Sequence, residues 1–368
     1  MIGKIVCELT PGKGNSRNSE GAFLKLKNGN LLYAYSRYGG GGDDDECLCD
    51  LYGILSEDGG EHFGTPFPLL TAKEVGADNV MSVSLLRMKN GDLWMFYLQK
   101  QNEKRTCVPY LARSADEGRT WSERVRCIPE NGYFVLNNDR VIELRNGRLL
   151  MPVARHEYVE GVGCGKGEVL IYASDDDGRS WHRLSGALEM PAYLRRSEPI
   201  YHRGCMEPGL AELADGTVWC FIRTVFGRQY ETFSEDGGKS WTPIQPSPFT
   251  SPVSPMSVKA LRDGQLCAVW NPVPLYNGRT ENPGGFWNGG RTPLGLALLG
   301  KNGEYPSGCT LLETDERRGF CYCAIHETES GDLLLGYCAG GPEDGGKCLN
   351  RVRIRKITRA ELADVVSV

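Results

Sequence analysis

One eight-residue pattern, Ser-x-Asp-x-Gly-x-x-Trp, recurs along the 368-residue chain and limits what the chain can fold into. Its copies run Ser114–Trp121, Ser174–Trp181 and Ser234–Trp241, and a fourth, Ser56–Phe63, carries Phe in place of Trp. The Ser positions lie 58, 60 and 60 residues apart, the spacing of a repeat architecture. Each copy suits a hairpin turn. Asp and Gly supply the turn backbone, Ser and Asp bond local amides, and the aromatic residue folds back into an apolar layer.

A second repeat lies beneath the first. Asn28-Gly29, Asn90-Gly91, Asn146-Gly147, Asp215-Gly216, Asp263-Gly264 and Ser330-Gly331 each precede an apolar run, and a strand-like run precedes each of them. Such dipeptides predict two-residue β-hairpins with both central residues at positive φ. Six inner hairpins, four of them followed by the Ser/Asp turn, describe six four-stranded blades. A degenerate fifth turn is expected at Gly300–Tyr305. Ile5–Leu9 and Val352–Ile357 are the candidates for closing the ring and removing its free edges. A helix is expected only in the tail, from Thr358 to Val366, and long inserts fall at Arg155–Lys166 and Pro272–Arg291. The expected fold is therefore all-β, a single six-bladed β-propeller domain spanning residues 1–368.

Composition narrows the partners. The net charge is -5 and there is no basic run, which argues against nucleic acid and anionic membranes. No apolar stretch approaches the roughly 20 residues of a spanning helix. The start, Met1 to Leu9, lacks the apolar core and cleavage site of a signal peptide. The 14 cysteines are scattered, several within apolar runs, and Cys47-x-Cys49 and Cys321-x-Cys323 lack zinc spacing. A cytoplasmic protein without metal or organic cofactor is the expectation, with the oligomeric state open.

In a repeat of this kind, equivalent positions meet at one end of the axis. At the ends of the second strands stand Arg37, Gln99, Arg155, Arg223, Asn271 and Cys338. At the starts of the first strands stand Arg17, Ser82, Asp139, Glu207, Ser254 and Tyr322, and Arg291 joins them from the insert. A lone arginine is usually a surface ion pair, and a lone tyrosine a core residue. Several arginines converging on one mouth require an anionic ligand to offset their repulsion and desolvation. Guanidinium forks suit a carboxylate.

The Ser/Asp turn is the Asp-box, or bacterial neuraminidase repeat, and the whole chain resembles the sialidase (neuraminidase) superfamily of β-propellers. The resemblance implies an arginine triad on the substrate carboxylate, matched by Arg17, Arg223 and Arg291. It implies a tyrosine nucleophile and an activating glutamate, matched by Tyr322 and Glu207. An acid/base aspartate follows the pocket-lining Arg37, among Asp43, Asp44 and Asp45, with Asp44 favoured. Asn79, Asp139 and Gln229 are expected to line the pocket. Where the family has Arg-Ile-Pro, this chain has Arg17-Asn18-Ser19-Glu20, with a carboxylate beside the first arginine. The implied activity is a retaining exo-glycoside hydrolase removing a terminal sialic acid or related carboxylated sugar. The alternatives are hydrolysis or elimination on another acidic sugar, and a propeller that only binds glycan. A tyrosine suits a 2-keto acid sugar because a carboxylate nucleophile would be repelled by the carboxylate on the anomeric carbon.

Overall fold

The computed structural model describes residues 1–159, 163–184, 186–195, 204–273 and 290–367. The strand Arg17–Lys25 pairs antiparallel with Leu31–Tyr38, which pairs with Cys49–Ser56, which pairs in turn with Phe67–Leu70. The same four-strand meander recurs along the chain. Three sheets are separate four-stranded units. The first half of the chain instead forms one 13-stranded sheet, because single parallel pairings, Cys49 with Asn79 and Tyr133 with Cys107, join neighbouring meanders.

The inner hairpins do not take the two-residue form expected from their Asn-Gly and Asp-Gly pairs. Gly29 N donates to Leu26 O and Leu26 N to Asn30 O, which encloses three residues. Gly29 has φ 91°, whereas Asn28 is absent from the positive-φ residues. This is a type I turn followed by a left-handed Gly. Asn28 serves the turn through its side chain instead, where Oδ1 accepts from the Asn30 amide at 3.0 Å. Asp215 and Asp263 do the same for Thr217 and Gln265.

The Ser/Asp turns form as the sequence predicts. In the third box Gly178 N donates to Ser174 Oγ at 2.7 Å, and Asp176 Oδ1 accepts from Ser174 Oγ and Ser180 N at 2.8 and 2.9 Å. Each box aromatic reaches back to the preceding meander. Trp181 meets Phe96 edge-on at 5.7 Å, Trp121 joins the cluster of Leu26 and Leu32, and Trp241 joins that of Leu144 and Leu150. Phe63, in the first meander, packs with Leu334, Val352 and Ile354 of the last. The Gly300–Tyr305 stretch occupies the same place, between Leu294–Leu299 and Thr310–Glu313.

The ends of the chain meet. Lys4–Leu9 pairs antiparallel with Val352–Ile357, completing the four-stranded sheet that holds Cys321–Glu327 and Leu333–Cys338. The tail helix is one turn, Arg359–Leu362, and not the longer run expected. Beyond it Leu298 N donates to Val366 O, so the backbone is drawn off into a strand contact. The Arg155–Lys166 insert largely lengthens two paired strands, Leu149–Val159 and Gly163–Ser174. Its residues 160–162, and 274–289 of the Pro272–Arg291 insert, lie outside the described residues.

Candidate active site

The site grows from one backbone device. Glu20, Ser82, Asp139, Glu207 and Tyr322 have φ of 54°, 57°, 56°, 44° and 56°, left-handed values that non-glycine residues seldom adopt. Around Glu20, Ser82, Glu207 and Tyr322 the pairing of the inner strand slips, the mark of a β-bulge. Each residue held this way costs about 1–3 kcal/mol, and such strain collects where side chains are aimed for function. The bulge breaks the in-out alternation and brings Glu20 onto Ser82 and Tyr322 onto Glu207.

Tyr322 and Glu207 meet there. The Tyr322 hydroxyl donates to Glu207 Oε1 at 2.8 Å. Arg223 Nη1 donates to Glu207 Oε2 at 2.5 Å and lies 3.4 Å from the Tyr322 oxygen. The Arg291 guanidinium carbon sits 5.4 Å from the centre of the Tyr322 ring. Asn138 Nδ2 donates to the Tyr322 and Gly21 carbonyls at 3.2 and 2.7 Å, tying the tyrosine to the neighbouring inner strand. Burial pushes the Glu207 carboxyl up, but Arg223, Arg291 and the tyrosine hydrogen bond outweigh it, so the group stays ionised below the usual range. Burial and the Glu207 charge hold the Tyr322 phenol well above its usual value, against the pull of Arg223 and Arg291. The pair is a neutral phenol hydrogen-bonded to an ionised carboxylate.

Arg17 builds the other wall. It is buried, stacks on Tyr38 at 4.3 Å and donates from Nε to Ser19 Oγ at 3.0 Å. Nη1 donates to Asp45 Oδ1 at 2.6 Å, and Nη2 reaches Glu20 Oε1 at 3.4 Å. Glu20 is buried and accepts from Ser82 Oγ at 2.6 Å. Burial raises its carboxyl to about 7, with Asp45 and Glu207 adding to the rise and Arg17 and Ser82 opposing it. The Asp45 side chain is 56 % exposed. Burial alone would raise its carboxyl, but Arg17 and Lys100 hold it below the usual range. On the far side Arg291 Nη1 donates to Cys321 Sγ at 3.1 Å and Nη2 to Val253 O at 3.5 Å.

Tyr322, Glu207, Arg223 and Arg291 thus gather, and Arg17 stands near them beside Glu20 and Asp45; the remaining residues expected from the sequence lie elsewhere. Asp43 and Asp44 face away from the pair and share the Lys347 ammonium, at 2.6 and 2.9 Å, with Asn350 also on Asp43. Asp45 is the loop carboxylate that reaches an arginine. Arg37, adjacent to Tyr38 on the same strand, points to the other face and stacks on Tyr52 at 4.5 Å. Asp139 accepts from Lys259 Nζ at 2.7 Å and lines a separate cavity of about 600 Å³ with Leu86, Leu210 and Val258. Asn79 and Gln229 act one layer out. Asn79 Nδ2 donates to the Asp45 and Cys47 carbonyls, and Gln229 Nε2 to Ser251 Oγ and Ser254 O. Glu20 is the residue that counting missed. It lies nine residues before its hairpin glycine, as do Ser82, Glu207 and Tyr322, and that phase was the available signal.

Known proteins share this architecture. A protein of unknown function from Dyadobacter fermentans superposes with a TM-score of 0.72 at 17% identity, covering 97% of this chain and 99% of that one. The NanB sialidase of Streptococcus pneumoniae gives 0.67 at 13% identity, over 98% of this chain and 71% of that one. The intramolecular trans-sialidase of Ruminococcus gnavus, in complex with oseltamivir carboxylate, gives 0.67 at 16% identity over 98% of both. At such identities the likeness is one of fold. The BNR repeat-like domain profile matches residues 29–335, a span that holds all four boxes and the Tyr322–Glu207 pair. With the repeats, the meanders and this match in agreement, the chain belongs to the BNR repeat-like family and has the sialidase superfamily fold.

Proposed function

We propose that this protein is a retaining exo-glycosidase that releases a terminal sialic acid or a related carboxylated sugar. It would work as one domain, a six-bladed ring closed by the pairing of Lys4–Leu9 with Val352–Ile357. The observation that carries the activity is the 2.8 Å hydrogen bond from Tyr322 to Glu207. Arg17, Arg223 and Arg291 hold the carboxylate and so place the anomeric carbon over the phenol. Glu207 takes the phenol proton as the Tyr oxygen bonds to that carbon, and the glycosidic bond breaks with protonation of the leaving oxygen. Asp45 is the donor the geometry favours. Once the ligand carboxylate displaces it from Arg17, its carboxyl loses the charge that kept it ionised. Water then attacks the glycosyl-tyrosine with the proton transfers reversed.

A second reading, another acidic sugar as substrate, is favoured by the polar surround of Arg17 from Ser19 and Glu20. A panel of sialyl, ketodeoxynonulosonyl and uronyl glycosides separates the two by which one turns over. Tyr322→Phe keeps the arginine clamp but loses the nucleophile, so kcat should fall roughly 10³-fold or more while ligand still binds. A fluoro-sugar should trap an adduct on Tyr322. Trapping on a carboxylate, or full turnover by Tyr322→Phe, sinks the mechanism.

A further inference from the structure

Three carboxylates are to share one guanidinium. In the ligand-free site Arg17 already faces Asp45 at 2.6 Å and Glu20 at 3.4 Å, and the proposed substrate brings a third. Asp45 is exposed, beside Gly39–Gly42, and can swing out. Glu20 cannot. It sits on a strained bulge, is 5 % exposed, and Ser82 from the neighbouring inner strand pins its Oε2 at 2.6 Å. Two anions within hydrogen-bond reach of one buried guanidinium repel strongly where little water screens them.

We propose that Glu20 is a proton-coupled positioning residue, taking up one proton from solvent when a carboxylated sugar occupies Arg17. The proton converts the Glu20 carboxylate to a neutral carboxyl, leaving the full Arg17 charge to the ligand. This inference rests on the reading that Arg17 receives the substrate carboxylate.

In the ligand-free site no other group titrates near neutrality. Glu20 faces Arg17 on its own strand, and Tyr38, Asp45, Cys49, Glu207 and Tyr322 from the elements packed around it. Burial keeps Tyr38, Cys49 and Tyr322 well above their usual values, hence neutral. Their arginines keep Asp45 and Glu207 ionised, even though burial opposes it. Glu20, raised by burial to about 7, stands between these sets. An incoming anion raises it further, so binding draws in a proton, and affinity falls as pH rises above the ligand-free value.

The test is calorimetric titration of the full chain with sialic acid in two buffers of different ionisation heat. Wild type should take up roughly half to one proton per ligand at about pH 7.5, and its affinity should drop by up to about tenfold per pH unit above that. The methyl ester of sialic acid, which carries no charge, should bring no uptake. Asp45→Asn, which removes the other carboxylate the ligand displaces from Arg17, should keep the uptake, and Glu20→Gln in that background should abolish it and flatten the pH dependence. Ser82→Ala removes a donor that favours the carboxylate, so it should move the pH limb upward without removing it. That shift decides the matter alone if Glu20→Gln does not fold. Binding without proton uptake, or uptake unchanged in Glu20→Gln, overturns the proposal and leaves the glycosidase reading standing. A wild type that binds neither sialic acid nor the ketodeoxynonulosonic and uronic acids overturns both.

Discussion

A buried phenol gains nucleophilic character only when its proton has somewhere to go, and the geometry at Tyr322 supplies that route. In the proposed reaction, the acid that would protonate the leaving oxygen depends on a choice among three adjacent residues. Asp43 and Asp44 are neutralised by Lys347 from more than 300 residues downstream, a pairing that no local pattern reveals. Asp45 instead borrows Arg17, and Asn79 and Lys100 hold its carbonyl at 3.2 and 2.6 Å. Asp45→Asn should therefore lower kcat by about 10²–10⁴-fold on substrates with a poor leaving group. Good leaving groups, which need no proton, should be affected far less. Asp44→Asn should leave both nearly unchanged. If Asp44→Asn shows the larger, leaving-group-dependent loss, the acid has been misplaced.

The elements were legible in proportion to how local their causes are. The Ser/Asp turns could be read outright, since every bond in them spans four residues or fewer, as between Ser234, Asp236, Gly238 and Ser240. Tyr322 and Glu207 could be read through the family resemblance, and the phase from the hairpin glycine supports both. Arg37 and Asp139 were misjudged for one shared reason. A count along the chain says which end of a strand a residue occupies, but the bulge and the pleat decide where its side chain points. Within the boxes, Asp236 Oδ1 accepts from Lys239 N and Ser240 N at 2.9 Å each, and its carboxyl is held to about 2, chiefly by Ser240. Asp236→Ala should cost about 1 kcal/mol, because solvent screens a turn this exposed. Since the folded-state value lies below the unfolded one, this contribution is present above about pH 4 and fades as pH falls through about 2. Urea titrations of both proteins at neutral and acid pH check this; a difference that grows on acidification refutes it.

At the scale of the whole molecule, the chain covers the edge of Val352–Ile357 by joining its own ends. The strand Val352–Ile357 is buried at every position, so it needs a neighbour on each side. Lys4–Leu9 supplies the second neighbour, and charge reinforces the backbone pairing. Glu8 accepts from Arg353 at 2.8 Å and Arg351 at 3.1 Å, Arg355 donates to the Ile2 and Gly3 carbonyls, and Gly3 N donates to Glu361 Oε1. The same sheet carries Tyr322 on its innermost strand, so closure and chemistry share a scaffold. Deleting residues 1–10 strips the edge and leaves Arg351, Arg353 and Arg355 with fewer acceptors. At about 0.5–1.5 kcal/mol for each lost backbone bond, the loss should reach several kcal/mol, a large part of a typical fold's stability. Melting of the truncated protein should begin well below that of the full chain, with aggregation through the bare strand. A peptide of residues 1–10, added in trans, should restore part of the melting temperature by strand addition. An unchanged melting curve, or no response to the peptide, would show that the ring does not depend on this strand.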